Sequence, residues 1–171
     1  MVAGFLHAFV RHADVVKIAN LAQIVNVIAP LLARPDDVLV QSIYWPFEMF
    51  SKRRAGTSLR ILVDGPSYES PTHGTAYHVD ASAILGDGCL HLFLTNRDEA
   101  AGEVVLRLAD ASVAGVVDAE ILTGPDPKAE NGWDAREVVQ SAPFDGISVA
   151  RGAVTVTLPP MSFVAATLRL D

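Results

Sequence analysis

Cysteine is almost missing from this chain, with one residue, Cys89, in 171. A single thiol makes no internal disulfide and no cysteine-based metal cluster, and such usage favours a reducing compartment, so the cytoplasm is the expected location. Charge is scarce as well, at 19% of residues against 50% apolar, which excludes a disordered tail and predicts a substantial core. No uninterrupted apolar run approaches the roughly 18 residues of a membrane span. Met1 to Val10 has neither the cationic start nor the small-residue cleavage site of a secretory leader, so no membrane partner is expected. Basic residues are few. Residues 1–58 carry six Lys/Arg against four acids and residues 59–171 carry seven against sixteen, so the net charge of −7 is a balance of +2 and −9. The one basic cluster, Lys52-Arg53-Arg54, closes a predicted helix, where cations complement the helix dipole. Without a basic face to displace phosphate counterions, nucleic acid is not an expected partner. A complete β/α barrel needs roughly 250 residues and does not fit; one domain, or one with a piece of another, does.

What the chain does contain divides after Ser58 into two patterns. Before it, Phe5, Leu6, Phe9 and Val10 recur at helical spacing and predict a helix over residues 1–12. Residues 15–19 follow, a short β-branched run of the kind that forms a parallel strand buried on both faces. Residues 21–32 are apolar with Gln23 and Asn26 set among them, and Arg34-Pro35-Asp36-Asp37 interrupts. A second helix is predicted over residues 40–54, with Ile43, Phe47 and Phe50 on one face, Pro46 placed to kink it and Gly56 beyond its end. After Ser58 the period falls to two, predicting strands over residues 59–63, 77–85, 89–96, 103–108, 116–123, 153–158 and 163–170. Gly86-Asp87-Gly88 is a strong hairpin turn, and residues 124–135 are too polar for a strand and predict a long surface loop. The expected architecture is a β/α remnant leading into an antiparallel sandwich or jelly roll. One parallel strand cannot cover its own two faces, so the first unit is expected to need partners encoded ahead of it.

No catalytic constellation stands out. Asp14, Asp36, Asp37 and Glu48, the acids of the first third, read as loop, helix-capping and helix-face residues, whereas a retaining glycosidase needs two carboxylates roughly 5–5.5 Å apart. No serine sits in a G-x-S-x-G elbow, and Cys89 falls in a strand pattern where a buried, inert thiol is expected. His73, His78 and Asp80 lie within eight residues of one another, but no second cluster completes four ligands, so no metal is expected. Gly86-x-Gly88 lacks the third glycine of a dinucleotide fingerprint, so no cofactor is expected either. Tyr44, Trp45, Phe47 and Phe50 are a sugar-stacking platform or, more in keeping with helical spacing, core. Gln23 and Asn26 are more informative. They follow the carboxyl end of the predicted buried strand, where ligand contacts gather in a β/α barrel, and an amide can both donate to and accept from a sugar hydroxyl. Satisfying loop backbone is the equal alternative.

The run His12-Ala13-Asp14-Val15-Val16-Lys17-Ile18-Ala19-Asn20-Leu21-Ala22-Gln23-Ile24-Val25-Asn26-Val27-Ile28-Ala29-Pro30 resembles the eighth strand and following loop of the family 51 α-L-arabinofuranosidases. Gln41-Ser42-Ile43-Tyr44-Trp45-Pro46-Phe47-Glu48-Met49-Phe50 is similar to the last barrel helix of that family. Leu94-Thr95-Asn96-Arg97, Glu120-Ile121-Leu122-Thr123-Gly124-Pro125-Asp126-Pro127 and Leu158-Pro159-Pro160-Met161-Ser162 resemble stations along its carboxyl-terminal sandwich. The fold class implied is mixed: a carboxyl-terminal remnant of a (β/α)8 barrel over residues 1–58, then an antiparallel, jelly-roll-like β-sandwich over residues 59–171. The activity implied is release of terminal α-L-arabinofuranosyl groups from arabinan and arabinoxylan oligosaccharides with retention, by an acid/base glutamate after the fourth barrel strand and a nucleophilic one at the end of the seventh. Both would precede Met1, and neither Glu48 nor Glu69 matches them, so the chain alone is expected to be inactive. The one substrate contact the resemblance assigns is Gln23; Asn26 is left as a supporting or structural residue. It further implies an arabinofuranosyl oligosaccharide as partner, a cytoplasmic homo-oligomer, often a hexamer, and a sandwich that borrows a strand from the enzyme's amino terminus. From the residues alone, a non-catalytic β-sandwich module binding carbohydrate or protein, with residues 1–58 as a helical adaptor, is the alternative.

Overall fold

The helical spacing at the amino terminus produces helix α1, Val2–Arg11, which buries Ala3, Leu6 and His7. The computed structural model describes residues 1–171 other than His73 and Gly152. Residues 15–19 form no strand. Val15 and Ile18 are 72% and 77% exposed, and residues 12–30 make only an isolated bridge, Val25 to Leu31. A parallel strand needs hydrogen-bonded neighbours along its edges and cover on both faces, and no described residue supplies either to this segment. Next come β1 (Leu31–Arg34) and β2 (Asp37–Val40), a hairpin closed by Pro35 and Asp36. Helix α2 is Tyr44–Lys52, shorter than predicted because Val40 pairs with Leu31 instead. Pro46 therefore falls in the first turn, where an amide has no intrahelical acceptor and a proline removes nothing.

The remaining strands are β3 (Thr57–Leu59), β4 (Ser67–Ser70), β5 (Gly74–Tyr77), β6 (Val79–Gly86), β7 (Cys89–Asn96), β8 (Gly102–Leu106), β9 (Val113–Thr123), β10 (Gln140–Pro143), β11 (Ile147–Ala150), β12 (Ala153–Leu158) and β13 (Ser162–Leu170). They build an antiparallel six-stranded sheet, β10-β9-β13-β7-β6-β3, facing a three-stranded one, β11-β12-β8, with β4-β5 a separate hairpin. The β6–β7 turn is the one the sequence predicts: Gly86 pairs with Cys89, and Asp87 and Gly88 take φ of 51° and 71°, the left-handed geometry of a primed hairpin turn. Residues 124–135 form no strand, only an isolated bridge from Gly132 to Ala135. The predicted strand over residues 59–63 is reduced to Thr57–Leu59.

Alternation in β7 and β13 feeds two cores. Leu90, Leu92, Leu94, Val164, Ala166 and Leu168 point between the sheets, onto Val154, Val156 and Leu158 of β12. Phe93, Phe163 and Ala165 point the other way, onto Ala3 and Leu6 of α1 and Met49 and Phe50 of α2. Each large apolar side chain so buried is worth about 1.5–3 kcal/mol. The molecule is thus a β-sandwich whose larger sheet carries both helices on its outer face.

Candidate functional site

Polar side chains cluster along the seam between the helices and the large sheet. His7 of α1 is fully buried, with Nδ1 2.8 Å from Ser82 Oγ and Nε2 2.9 Å from Thr95 Oγ1. Burial lowers its pKa from 6.5 to about 4; Asp80 opposes that shift, and Arg11 and Arg97 reinforce it. Asp80 accepts from Arg11 Nη1 at 2.6 Å and pairs with Arg97 as well. Arg53, at the end of α2 and 5% exposed, pairs with Asp118 and Glu120 of β9 and donates to Thr167 Oγ1 (3.2 Å) and Met49 O (3.1 Å). Lys52 adds bonds to Glu48 (2.6 Å) and Glu120 (3.2 Å). Burial pushes the Glu120 carboxyl up, but donation from Ser141, Arg53 and Lys52 outweighs it and leaves the pKa lowered. A third contact holds the long loop against the β1–β2 hairpin. Buried Asn131 donates to Val40 O (2.9 Å) and Val139 O (2.8 Å), Arg34 lies 3.8 Å over the Trp133 ring, and Arg136 donates to Asp37 at 2.7 Å.

Gln23 and Asn26 sit apart from this seam, on the exposed segment between α1 and β1. Both adopt left-handed backbone, with φ of 56° and 62°. Asn26 Oδ1 accepts from Ala33 N (2.7 Å) and Asn26 N donates to Leu31 O (2.7 Å), so its side chain serves the backbone of β1. Gln23 is exposed and makes no side-chain hydrogen bond to the described residues. Val27 shares the left-handed conformation, φ 56°, which a β-branched residue adopts only with strain.

The other candidates disperse. Phe50 is buried in an aromatic stack, so it belongs to the core, and Tyr44 meets Trp45 edge-on at 5.4 Å. His78 Nδ1 lies 2.9 Å from Asp98, and Asp80 is taken up by two arginines; His73 lies outside the described residues. No group of three or more His, Cys, Asp or Glu among the described residues is arranged to hold a metal ion. Asp36 and Asp37 cap no helix: they belong to the β1–β2 hairpin, and Asp37 pairs with Arg136. Asp14 is exposed, Glu48 pairs with Lys52, and Glu69 accepts from Thr75 Oγ1 at 2.6 Å. Cys89 is half-buried. A cavity of about 400 Å³ opens between the amino-terminal ends of α1 and α2 above Phe163, and another of about 420 Å³ lies beside Arg53; Gln23 lines neither. Asp80, Asp118 and Glu120 meet cations or hydroxyls, an arrangement that docks the helices on the sheet.

His7 and Arg53 carry that docking, and sequence reasoning singled out neither for it. His7 leaves a signal, since it occupies the apolar stripe of Ala3, Leu6 and Val10. Arg53 leaves none, because a cation ending a helix is explained by the helix dipole alone.

The family description "Alpha-L-arabinofuranosidase C-terminal domain" matches residues 1–162. The chain belongs to that family. It is 34% identical over 163 residues to the intracellular exo-alpha-(1->5)-L-arabinofuranosidase of Streptomyces lividans, a match covering 94% of this chain and 25% of that protein. It is 33% identical over 161 residues to the exo-alpha-(1->6)-L-arabinofuranosidase of Bifidobacterium longum, covering 91% and 31%. Among solved structures, a family 51 α-L-arabinofuranosidase from Bifidobacterium longum superposes with a TM-score of 0.89 at 26% identity, over 98% of this chain and 34% of that one. The chain spans a quarter to a third of the length of these relatives. The sandwich with its helical cover accordingly belongs with the carboxyl-terminal domains of the family 51 α-L-arabinofuranosidases, as the residue resemblance implies.

Proposed function

We propose that this chain serves as the carboxyl-terminal part of a retaining enzyme that removes terminal α-L-arabinofuranosyl groups from arabinan or arabinoxylan oligosaccharides. In that enzyme residues 1–58 are the last β/α portion of a (β/α)8 barrel, residues 59–171 its sandwich, and Gln23 a substrate contact. The observation that carries the reading is the family match over residues 1–162, which takes in the helices, the Gln23 segment and most of the sandwich as one unit. Val15, Ile18, Ile24, Val27 and Ile28, all exposed, favour a segment that neighbouring barrel strands would cover. The Gln23 amide would donate to and accept from ring hydroxyls, fixing the anomeric carbon against carboxylates held elsewhere in the enzyme. The relatives' names support the substrate class. Three of them, from Streptomyces lividans, Bacteroides ovatus and Bacillus subtilis, are called intracellular, which favours a cytoplasmic parent. No described helix is long and apolar enough to cross a membrane. The proposed assembly is a homo-oligomer, a hexamer.

A chimera tests this directly. This chain replaces the matching carboxyl-terminal segment of the Streptomyces lividans enzyme, and hydrolysis of an aryl arabinofuranoside is measured. The folded chimera should turn over, Gln23→Ala should lower its kcat/KM at least ~100-fold, and the 171-residue chain alone should do nothing. A folded chimera indifferent to Gln23→Ala overturns the assignment of that residue; saturable binding of arabino-oligosaccharides by the isolated chain overturns the reading as part of a larger site.

A further inference from the structure

Neither the family nor the proposed function gives a task to the imidazole enclosed between α1 and the sheet. His7 stands edge-on to Phe50 of α2 and Phe163 of β13, with centroids 5.5 Å and 6.0 Å away. Both its nitrogens are engaged by hydroxyls from adjacent strands, Ser82 of β6 and Thr95 of β7. The charged groups facing it are Arg11 from its own helix, Asp80 from β6 and Arg97 just beyond β7, while α2 and β13 present Phe50 and Phe163. Asp80 is shared by two guanidiniums, whose positive charges oppose the support it gives an imidazolium. The rest of the helix's anchorage is modest. Ala3 and Leu6 are its other buried side chains, Arg11 and the bond from Ser58 Oγ to Val10 O (2.6 Å) hold its end, and Phe5 and Phe9 are exposed.

We propose that α1 is an acid-released latch: proton uptake by His7 expels the helix from the outer face of the sheet while the two sheets stay paired, freeing the segment that runs from Arg11 to Gln23. The site against the edge-on rings of Phe50 and Phe163 is closed to water, so the protonated ring is hydrated only when the helix lifts. Burial draws the His7 pKa from 6.5 to about 4. Docking is therefore complete above the unfolded value, and as pH falls from 6.5 towards 4 the docking equilibrium weakens roughly tenfold per pH unit. The Asp80 pKa is held below the usual carboxylate value, so Asp80 keeps its charge through that window. His91, on the same sheet face and also lowered by burial, is the built-in control.

Amide hydrogen exchange followed by mass spectrometry on the 171-residue chain, between pH 7 and pH 4.5 with intrinsic rates corrected, tests the latch. Protection of the α1 peptide should fall about tenfold per pH unit below 6.5, against unchanged protection in β7 and β13, and should return at neutral pH. His7→Asn, which cannot titrate, should abolish the pH dependence, and His91→Asn should leave it. If α1 and the strands lose protection together, or α1 protection is the same at both ends of the range, the latch is overturned. The wild-type comparison decides this even if His7→Asn does not fold.

Discussion

Phe50 of α2 lies flat on Phe93 of β7, with ring centroids 4.0 Å apart and planes 10° from parallel, and it stacks on Phe163 of β13 as well, at 5.4 Å and 7°. This triple stack is the apolar centre of the contact between helices and sheet. Phe50→Ala should cost about 3–5 kcal/mol, the usual penalty for emptying a buried aromatic site. The measurement is a urea titration followed by circular dichroism, and a loss below about 1 kcal/mol would mean the helices contribute no cooperative layer.

Arg53 bridges Asp118 and Glu120 from a nearly water-free position, whereas Lys52 reaches Glu120 from the surface. Arg53→Met strands the buried half of the network and should destabilise by about 3 kcal/mol or more. Lys52→Met should cost less than about 1 kcal/mol. Denaturant midpoints of the two variants should differ accordingly; equal effects would show that Glu120 is solvated after all.

Acid should act on the seam through Asp80 too. Burial raises the pKa of this carboxyl, but the charges of His7, Arg11 and Arg97 and the hydrogen bond from Arg11 outweigh it and leave the value below 3.8. A carboxyl lowered in the fold contributes stability that is complete above its unfolded value and is lost as pH falls through the folded one. Asp80→Asn should flatten the stability profile below about pH 4 and, by removing the anion that supports His7 protonation, move the His7 titration lower still. Denaturant midpoints against pH and the imidazole proton resonance report the two effects separately.

Exposed Ile24, Val27 and Ile28 should make the isolated chain self-associate, since contiguous apolar surface of this kind seeks cover. Light scattering should show mass rising with concentration, and replacing the three with serine should suppress it. A monomer at every concentration in the unmodified chain would count against the need for a covering partner.

Elements whose instructions are local were legible in the sequence. Phe5 and Phe9 announce α1, the Asp87-Gly88 turn fixes the β6–β7 register, and the alternating apolar runs give β7, β12 and β13 nearly to the residue. What escaped depends on neighbours. Residues 15–19 carry strand-like side chains, but a strand needs partners to bond with, and the segment stays irregular. Val40 reads as helix until its pairing with Leu31 is known; β4, β5 and β10 are four-residue strands with little apolar alternation to announce them, and β11 alternates over only four residues. At the candidate site, Asn26 turned out to hold backbone, one of the two roles its chemistry allows. The partners of His7 and Arg53 could not be read because they lie 75 and 114 positions away along the chain, at Ser82 and Thr167.

The platform beneath both helices has a consequence for synthesis. Phe163 and Ala165, which complete it, belong to β13, the last strand of the chain. The helices are synthesised ahead of β13, yet their resting place is incomplete until that strand has also been made, so a chain halted between them leaves both helices only partly covered.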